Sequence, residues 1–267
     1  MKFKDVPKNH WGISGIKWTV DNNVMSGRGE GIFAPNDNIT RAEFANALMR
    51  YHLHMVNELP SLQDMNIKTT KKNKPAIIVI ESDNSIGSGF FITDDGCALT
   101  NFHVIADENN EISKNLKAKV LLKDNTHTFE TTTNHEVEVI AYDSWEDLAL
   151  IKVNIDKPVH YLNLADKQPP EGSFVLSMGH PFGYQFTTNF GIISQDCQLL
   201  GFWGMMQSDA AISGGNSGGA LVSVYTGELV GIPTRKAEKK NGRIGEGLNF
   251  SIPLINIKAF IEKHLNK

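Results

Sequence analysis

Ser217 sits in the string GGNSGGAL at 214 to 221, a hydroxyl flanked by residues too small to crowd a substrate. A serine hydroxyl becomes an effective nucleophile when a neighbouring base takes its proton, and histidine is the side chain poised for that near neutral pH. His103, in LTNFHVIA at 99 to 106, stands just beyond a strand-like stretch, and Asp147, in SWEDLALIKV at 144 to 153, stands just before another. An aspartate so placed fixes the imidazole tautomer and stabilises the imidazolium formed during attack. The order His103, Asp147, Ser217, with spacings of 44 and 70 residues, lets each come from a different part of one fold. Asp143 and Asp156 compete for the acid's place, but only Asp147 opens directly onto a strand-like run. In this chemical reading the backbone N–H groups of Gly215 and Ser217 point at the developing oxyanion. The same glycines also suit a plain tight turn, where conformational freedom is their whole use.

The elements that must hold these residues are short strands. From Pro75 onward PAIIVIES, GSGFFIT, CALTNF, KAKVLL, EVEVIAY, DLALIKV, GSFVLSMG, GIISQ, GALVS, ELVGIPT and LNFSIP alternate with the turn signals DDG, KDN, QPPEG and TGE. Many short strands at even spacing predict an all-β barrel or sandwich. Helical spacing returns in INIKAFIEKHL, where Ile257, Phe260, Ile261 and His264 or Leu265 share one face.

The first region is different. HWGISGIKWTVDNN places Trp11, Ile16 and Val20 near one side of a helix, and MSGRGEGIFAPNDN follows as a turn-rich loop. Thr40 and Glu43 make a T-x-x-E capping box, with Ile39 as the preceding apolar residue; Phe44, Ala47, Leu48 and Tyr51 then recur at helical spacing and are expected to face a core. The polar stretch 57–74 reads as a connection. Its lysines 68, 71, 72 and 74 suit a solvated linker, or else attraction to an anionic wall polymer or membrane surface.

Composition narrows the classes. Among 267 residues, 26 basic and 30 acidic side chains leave a net charge of -4, which argues against a duplex nucleic-acid partner. Two cysteines, Cys97 and Cys197, exclude a disulfide-dense scaffold and a zinc site built mainly from thiolates. No metal or cofactor cluster stands out, and acid–base chemistry at serine needs none. The aliphatic run AIIVI at 76 to 80 is too short to cross a membrane, so no transmembrane segment is expected. MKFKDVPKNHWG at the N-terminus carries no apolar signal core, so the chain as written reads as lacking an export segment.

Residues 75–267 resemble the HtrA/Deg family of trypsin-like serine endopeptidases. The matching motifs are GSGFFIT, LTNFHVI, DLALIKV, GHPFG at 179 to 183, GIIS, QSDAAISGGNSGGALV at 207 to 222, and LNFSIP. The resemblance implies two perpendicular six-stranded barrels with the site in the cleft between them. It implies His103 as base, Asp147 as its orienting acid, Ser217 as nucleophile, and Gly215 and Ser217 as oxyanion donors. It also implies an acyl-enzyme, hydrolysed by water activated through His103. Asp209 is expected to order the active-site loop, and His180 to be local structure in a Pro/Gly turn. In trypsin-like folds the residue six before the nucleophile floors the S1 pocket, and here it is Ala211. With Ile212, Gly231 and Ile232, it implies cleavage after small or medium aliphatic residues. The basic run TRKAEKKNGR at 234 to 243 reads as an exposed hairpin loop, with a preference for acidic residues flanking the cut as the alternative. Family members commonly carry C-terminal PDZ domains and form trimers; this chain ends at INIKAFIEKHLNK and has a different N-terminal extension, which leaves a homo-oligomer open.

That extension resembles a single S-layer homology module over residues 3–55, through the DV opening, His10-Trp11, the IKW helix, MSGRGEGIFAPND and ITRAEFA. Such modules hold bacterial exported proteins to secondary cell-wall polysaccharide. Arg41 matches the wall-polymer contact, since a guanidinium pairs with anionic sugar substituents; alternatively it is simply exposed on the first helical turn. The expected organisation is therefore a helical module at 1–56, a linker at 57–74, and a double-barrel peptidase with a C-terminal helix at 75–267. The expected function is serine endopeptidase action on proteins, possible unfolded substrates included, at the bacterial cell surface. The alternatives are a wall-binding surface protein with an inactive or latent protease domain, and a cytoplasmic protease.

Overall fold

Val, Ile, Leu and Phe fit a pleated surface that is buried on its inner side, and bounded runs of them build the second region. In the computed structural model β1 (Ile77–Glu81), β2 (Ile86–Phe91), β3 (Cys97–Thr100), β4 (Lys117–Leu121), β5 (Thr132–Asp143) and β6 (Leu148–Val153) close one antiparallel barrel in the order β1-β2-β3-β6-β5-β4. A second barrel follows. It comprises β7 (Phe174–Gly179), β8 (Thr187–Leu200), β9 (Trp203–Ser208), β10 (Ala220–Ser223), β11 (Leu229–Glu238) and β12 (Ile244–Pro253), in the order β10-β11-β12-β9-β8-β7. The structure describes residues 3–58, 60–83, 85–121, 132–181, 186–200, 203–238 and 244–265. The KDN turn, the end of the GHPFG motif and the end of the 234–243 basic run lie outside the described residues.

Each barrel closes over its own core. Ile78, Ile80, Phe91, Phe102, Ala149 and Ile151 fill the first, and Val175, Ile193, Met206, Leu221 and Val230 fill the second. Closure leaves no unpaired sheet edge within either barrel. The all-β fold expected from the strand runs, and the double barrel implied by the resemblance, are thus observed. Strand β9, WGMMQS, was not among those runs, because Gly, Met and Gln carry no β-branched signal. Helix α5 (Leu254–His264) packs through Leu254, Ile257 and Phe260.

The chain divides into two compact units, Met1–Gln63 and Asp64–Lys267. In the first, α1 spans Ile13–Asp21 and α2 spans Arg41–Glu58. The capping box forms as read: Thr40 N–H donates to Glu43 Oε2 (2.8 Å) and Glu43 N–H to Thr40 Oγ1 (3.2 Å). Asp5 accepts the N–H groups of Phe33 and Ala34 and so braces the loop between the helices. Two expectations are corrected here. Phe44 and Leu48 do not face a core but are 53% and 51% exposed, and Tyr51 is exposed too, because the unit has only α1 to lay against α2. Trp18 meets Tyr51 and His54 edge-on, while Trp11 precedes α1 and is 93% exposed.

The stretch read as a solvated linker contains a helix, α3 (Leu62–Asn73). Its two buried residues are polar: Thr69 donates to the carbonyl of Val224 (2.9 Å) and Asn73 to that of Gly227 (2.7 Å). The helix is therefore attached to the second unit by hydrogen bonds, with the lysines on its solvent side exposed. Among the described residues no helix is long and apolar enough to cross a membrane.

Candidate active site

His103 lies on the single turn α4 (Phe102–Ile105), which follows β3 and is held by burial of Phe102, Val104 and Ile105. Asp147 directly precedes β6 and adopts φ of 56°, a conformation that side-chain-bearing residues take up only where their surroundings impose it. Here the Asp147 carbonyl accepts from Asn101 Nδ2 (2.8 Å) and from Phe102 N–H (3.2 Å). Two loops remote in sequence are thereby locked together beside α4.

The geometry of the pair follows. His103 Nδ1 lies 2.8 Å from Asp147 Oδ2 and 3.0 Å from Oδ1, and His103 N–H donates to Oδ1 (3.0 Å). With Nδ1 facing a carboxylate, the neutral ring carries its proton there and leaves Nε2 as the acceptor for a nucleophile. The histidine side chain is 49% exposed and the aspartate 13%, so the base opens to the cleft while its partner is covered. Burial pushes the Asp147 carboxyl up. The hydrogen bond and charge of His103, then the Thr234 hydroxyl and the His103 N–H, outweigh it and hold the group below its ordinary value.

Ser217 is on the glycine loop before β10. Asn216 N–H donates to Ser213 O (2.9 Å), Gly218 N–H to Pro233 O (3.0 Å) and Gly219 N–H to Asn216 O (3.0 Å), which fixes the turn. Gly215 has φ of 96° and Gly218 of 80°, values open to glycine, and a Cβ on Gly218 would overlap Thr100 Oγ1. Among the described residues the N–H groups of Gly215 and Ser217 donate to no other group, so both are free for an oxyanion. The Ser217 hydroxyl itself donates to the carbonyl of Thr234 (3.1 Å) and makes no hydrogen bond to His103.

Thr234 is the residue that sequence reasoning missed. It is buried near the end of the GIPT run of β11, its hydroxyl donates to Asp147 Oδ2, and its carbonyl holds Ser217 Oγ. One residue thus touches both Asp147 and Ser217. Its only sequence signal was a hydroxyl following a buried apolar run, and the basic residues after it suggested surface instead.

The expected pocket residues divide. Ala211 is exposed, and its carbonyl accepts from Asn189 Nδ2 (3.2 Å) and Asn216 Nδ2 (3.5 Å), which places it beside the nucleophile loop. Ile212, Gly231 and Ile232 are buried, the last two on β11. The part of β11 that reaches the site is Thr234 and Arg235, which with Trp145, Glu146 and Asp147 line a recess of about 100 Å³. A larger cavity of about 770 Å³ lies elsewhere, lined by Lys72, Val120, Leu121, Ile155 and Pro158, and no member of the His–Asp–Ser set reaches it. Asp209 accepts the Ile192 N–H (2.6 Å), which orders the strand next to the loop. His180 is fully buried and accepts the Phe186 N–H (3.1 Å). Arg41, at the first position of α2, is exposed.

A family model described as the trypsin-like peptidase domain matches residues 87–232, more than half of the chain, and an S-layer homology domain matches residues 2–45. Both resemblances drawn from the sequence are met. The chain is 34% identical over 180 residues to the "Probable periplasmic serine endoprotease DegP-like" of Rhizobium meliloti, covering 66% of this chain and 32% of that one. It is 34% identical over 176 residues to the "Serine endoprotease DegS" of Haemophilus influenzae, covering 64% and 47%. The crystal structure of the serine endoprotease from Yersinia pestis superposes with a TM-score of 0.60 at 28% identity, covering 74% of this chain and 65% of that one. The chain spans about a third to a half of the length of these curated relatives.

Proposed function

The chain belongs to the trypsin-like peptidase family, and on that premise we propose that it is a serine endopeptidase working through an acyl-enzyme. The observation that carries this reading is the His103 Nδ1 to Asp147 contact of 2.8 Å, set beside a glycine loop whose Gly215 and Ser217 N–H groups are unengaged. In the first step Ser217 Oγ turns from Thr234 O to His103 Nε2 and attacks a peptide carbonyl. The hydroxyl proton passes to Nε2, Asp147 stabilises the resulting imidazolium, and the negative oxygen is met by the two N–H groups. Collapse returns the proton to the leaving amine, and water activated at Nε2 then frees the acyl group.

Fluorophosphonate labelling and casein hydrolysis test the proposal. The native chain is expected to label at Ser217 and to cut, and Ser217→Ala to do neither, with a loss in kcat of about a million-fold. A native chain that neither labels nor cuts overturns it.

Ala211, which puts no carboxylate at the nucleophile loop, supports small or medium aliphatic P1 residues; a peptide library dominated by Lys or Arg at P1 would refute that. The S-layer homology match supports a wall-directed module at residues 1–56, joined through 57–74 to the peptidase unit at 75–267, and a cell-surface or extracellular location. Exposed Arg41 is its proposed contact with anionic wall polysaccharide. Retention on purified wall polymer that is lost in Arg41→Ala tests the contact. One observation favours a second reading, a latent peptidase: the Ser217 hydroxyl is engaged by Thr234 O and not by His103. Slow labelling that speeds up on adding substrate-like peptide would support it.

A further inference from the structure

Ser88, the third residue of β2, is fully buried; its N–H and hydroxyl reach across to the second barrel, and its carbonyl is engaged within the first. Its N–H donates to the carbonyl of Ser217 (2.9 Å). Its hydroxyl donates to the carbonyl of Gly215 (2.6 Å) and accepts the N–H of His180 (2.9 Å), just beyond β7. Its own carbonyl accepts from Thr100 Oγ1 (2.6 Å), at the end of the strand that leads to His103.

We propose that Ser88 is a positioning residue for the oxyanion site, acting through the Gly215 and Ser217 carbonyls. The inference rests on the endopeptidase reading above. The N–H groups that meet the oxyanion belong to the peptides 214–215 and 216–217. The carbonyls that Ser88 holds belong to the peptides 215–216 and 217–218, which alternate with them. Pinning the second pair sets the plane of the first. The pinning matters because Gly214 and Gly215 have no side chains to pack, so the backbone there rotates freely unless a hydrogen bond stops it. Among the described residues the Gly215 carbonyl accepts from no donor other than Ser88 Oγ. A Cβ on Gly218 would overlap the Ser88 carbonyl, so the loop lies directly on β2 with no room for an intervening group.

Removing the hydroxyl leaves the half-buried Gly215 carbonyl and the buried His180 N–H without this partner. A glycine peptide relieves that by turning, and it carries the adjacent N–H out of line. The loss falls on the transition state, because the negative oxygen exists only there.

The test compares native chain, Ser88→Ala and Ser88→Thr in full length, by steady-state hydrolysis of an aliphatic peptide substrate and by binding of the matching peptide boronate. Ser88→Ala is expected to lower kcat by about 10- to 100-fold with KM within about twofold, and to weaken the tetrahedral boronate adduct by a similar factor. Ser88→Thr, which keeps the hydroxyl, is expected to recover most of the rate. If the added methyl prevents folding, the Ser88→Ala boronate measurement decides alone. Unchanged kcat and boronate affinity in Ser88→Ala overturn the proposal, as does a loss that tracks global unfolding in the assay. A native chain that neither labels nor cuts sinks the peptidase reading and this inference together. A native chain that labels, beside an equally active Ser88→Ala, sinks this inference alone.

Discussion

The unit Met1–Gln63 and the unit Asp64–Lys267 are held by different means. The larger one buries whole apolar side chains along its barrel strands: in the first barrel Phe90, Phe91, Leu99, Leu148 and Leu150 are fully covered. The smaller one has Ile16 and Val24 as its buried apolar residues among those described, and its order comes from polar contacts: the Thr40–Glu43 box, the Asp5 bonds to Phe33 and Ala34, and Arg28 bridging Asp37 and Glu43. Exposed ion pairs of the last kind contribute about 0–1 kcal/mol each. A core distributes stability over dozens of contacts, whereas caps and turns concentrate it in a few polar atoms. The same type of substitution should therefore have very different effects in the two places.

The sharpest contrast is between two leucines. Leu150→Ala, in the wall of the first barrel, is expected to cost about 2–5 kcal/mol by denaturant unfolding of the full chain. The second effect is in acid. Burial, then the charges of Lys119 and Lys74, pushes the His180 imidazole down to about 3 from an ordinary 6.5. Below about pH 6.5 the unfolded chain takes a proton that the folded chain refuses until about pH 3, so stability falls as pH drops through that window. Thermal unfolding against pH should show a loss on the order of a few kcal/mol for the larger unit, and His180→Gln, which keeps an acceptor for Phe186 N–H, should flatten it. Next comes Thr40→Ala, expected to cost about 1 kcal/mol and to be visible as faster hydrogen exchange in α2 with the barrels unaffected. Smallest is Leu48→Ala, expected within about 0.5 kcal/mol because the side chain is already in water. If Leu48→Ala costs as much as Leu150→Ala, the smaller unit is held by apolar contacts after all and the contrast is broken.

The residues the sequence singled out lie where chemistry and local pattern coincide. His103, Asp147 and Ser217 each sit at the end of an element that announces itself, by an apolar run or by glycines. Thr234 did not, because its role is a contact with Asp147 made across 87 residues of chain, and its neighbours spoke for surface. Further along β11, Thr234 and Arg235 line the recess beside Asp147, where the pairing with β12 shifts register between Pro233 and Arg235, a shift that residue types alone do not reveal. Helix α3 was invisible as a packed element because what anchors it is Thr69 and Asn73, and periodicity searches follow apolar residues. The face of α2 was misjudged in the opposite sense. Its spacing is that of a buried helix, but spacing cannot say whether anything lies opposite.

The two sulfur atoms carry one more consequence. Cys97 is a free thiol in the buried wall of β3, and Cys197 a free thiol exposed on β8. Both barrels close without a covalent cross-link, so their stability draws nothing from oxidation. The fold is accordingly indifferent to redox potential: neither a thiol-reducing nor an oxidising compartment alters what holds His103, Asp147 and Ser217 in place. A reductant that leaves thermal unfolding unmoved is the signature expected of it.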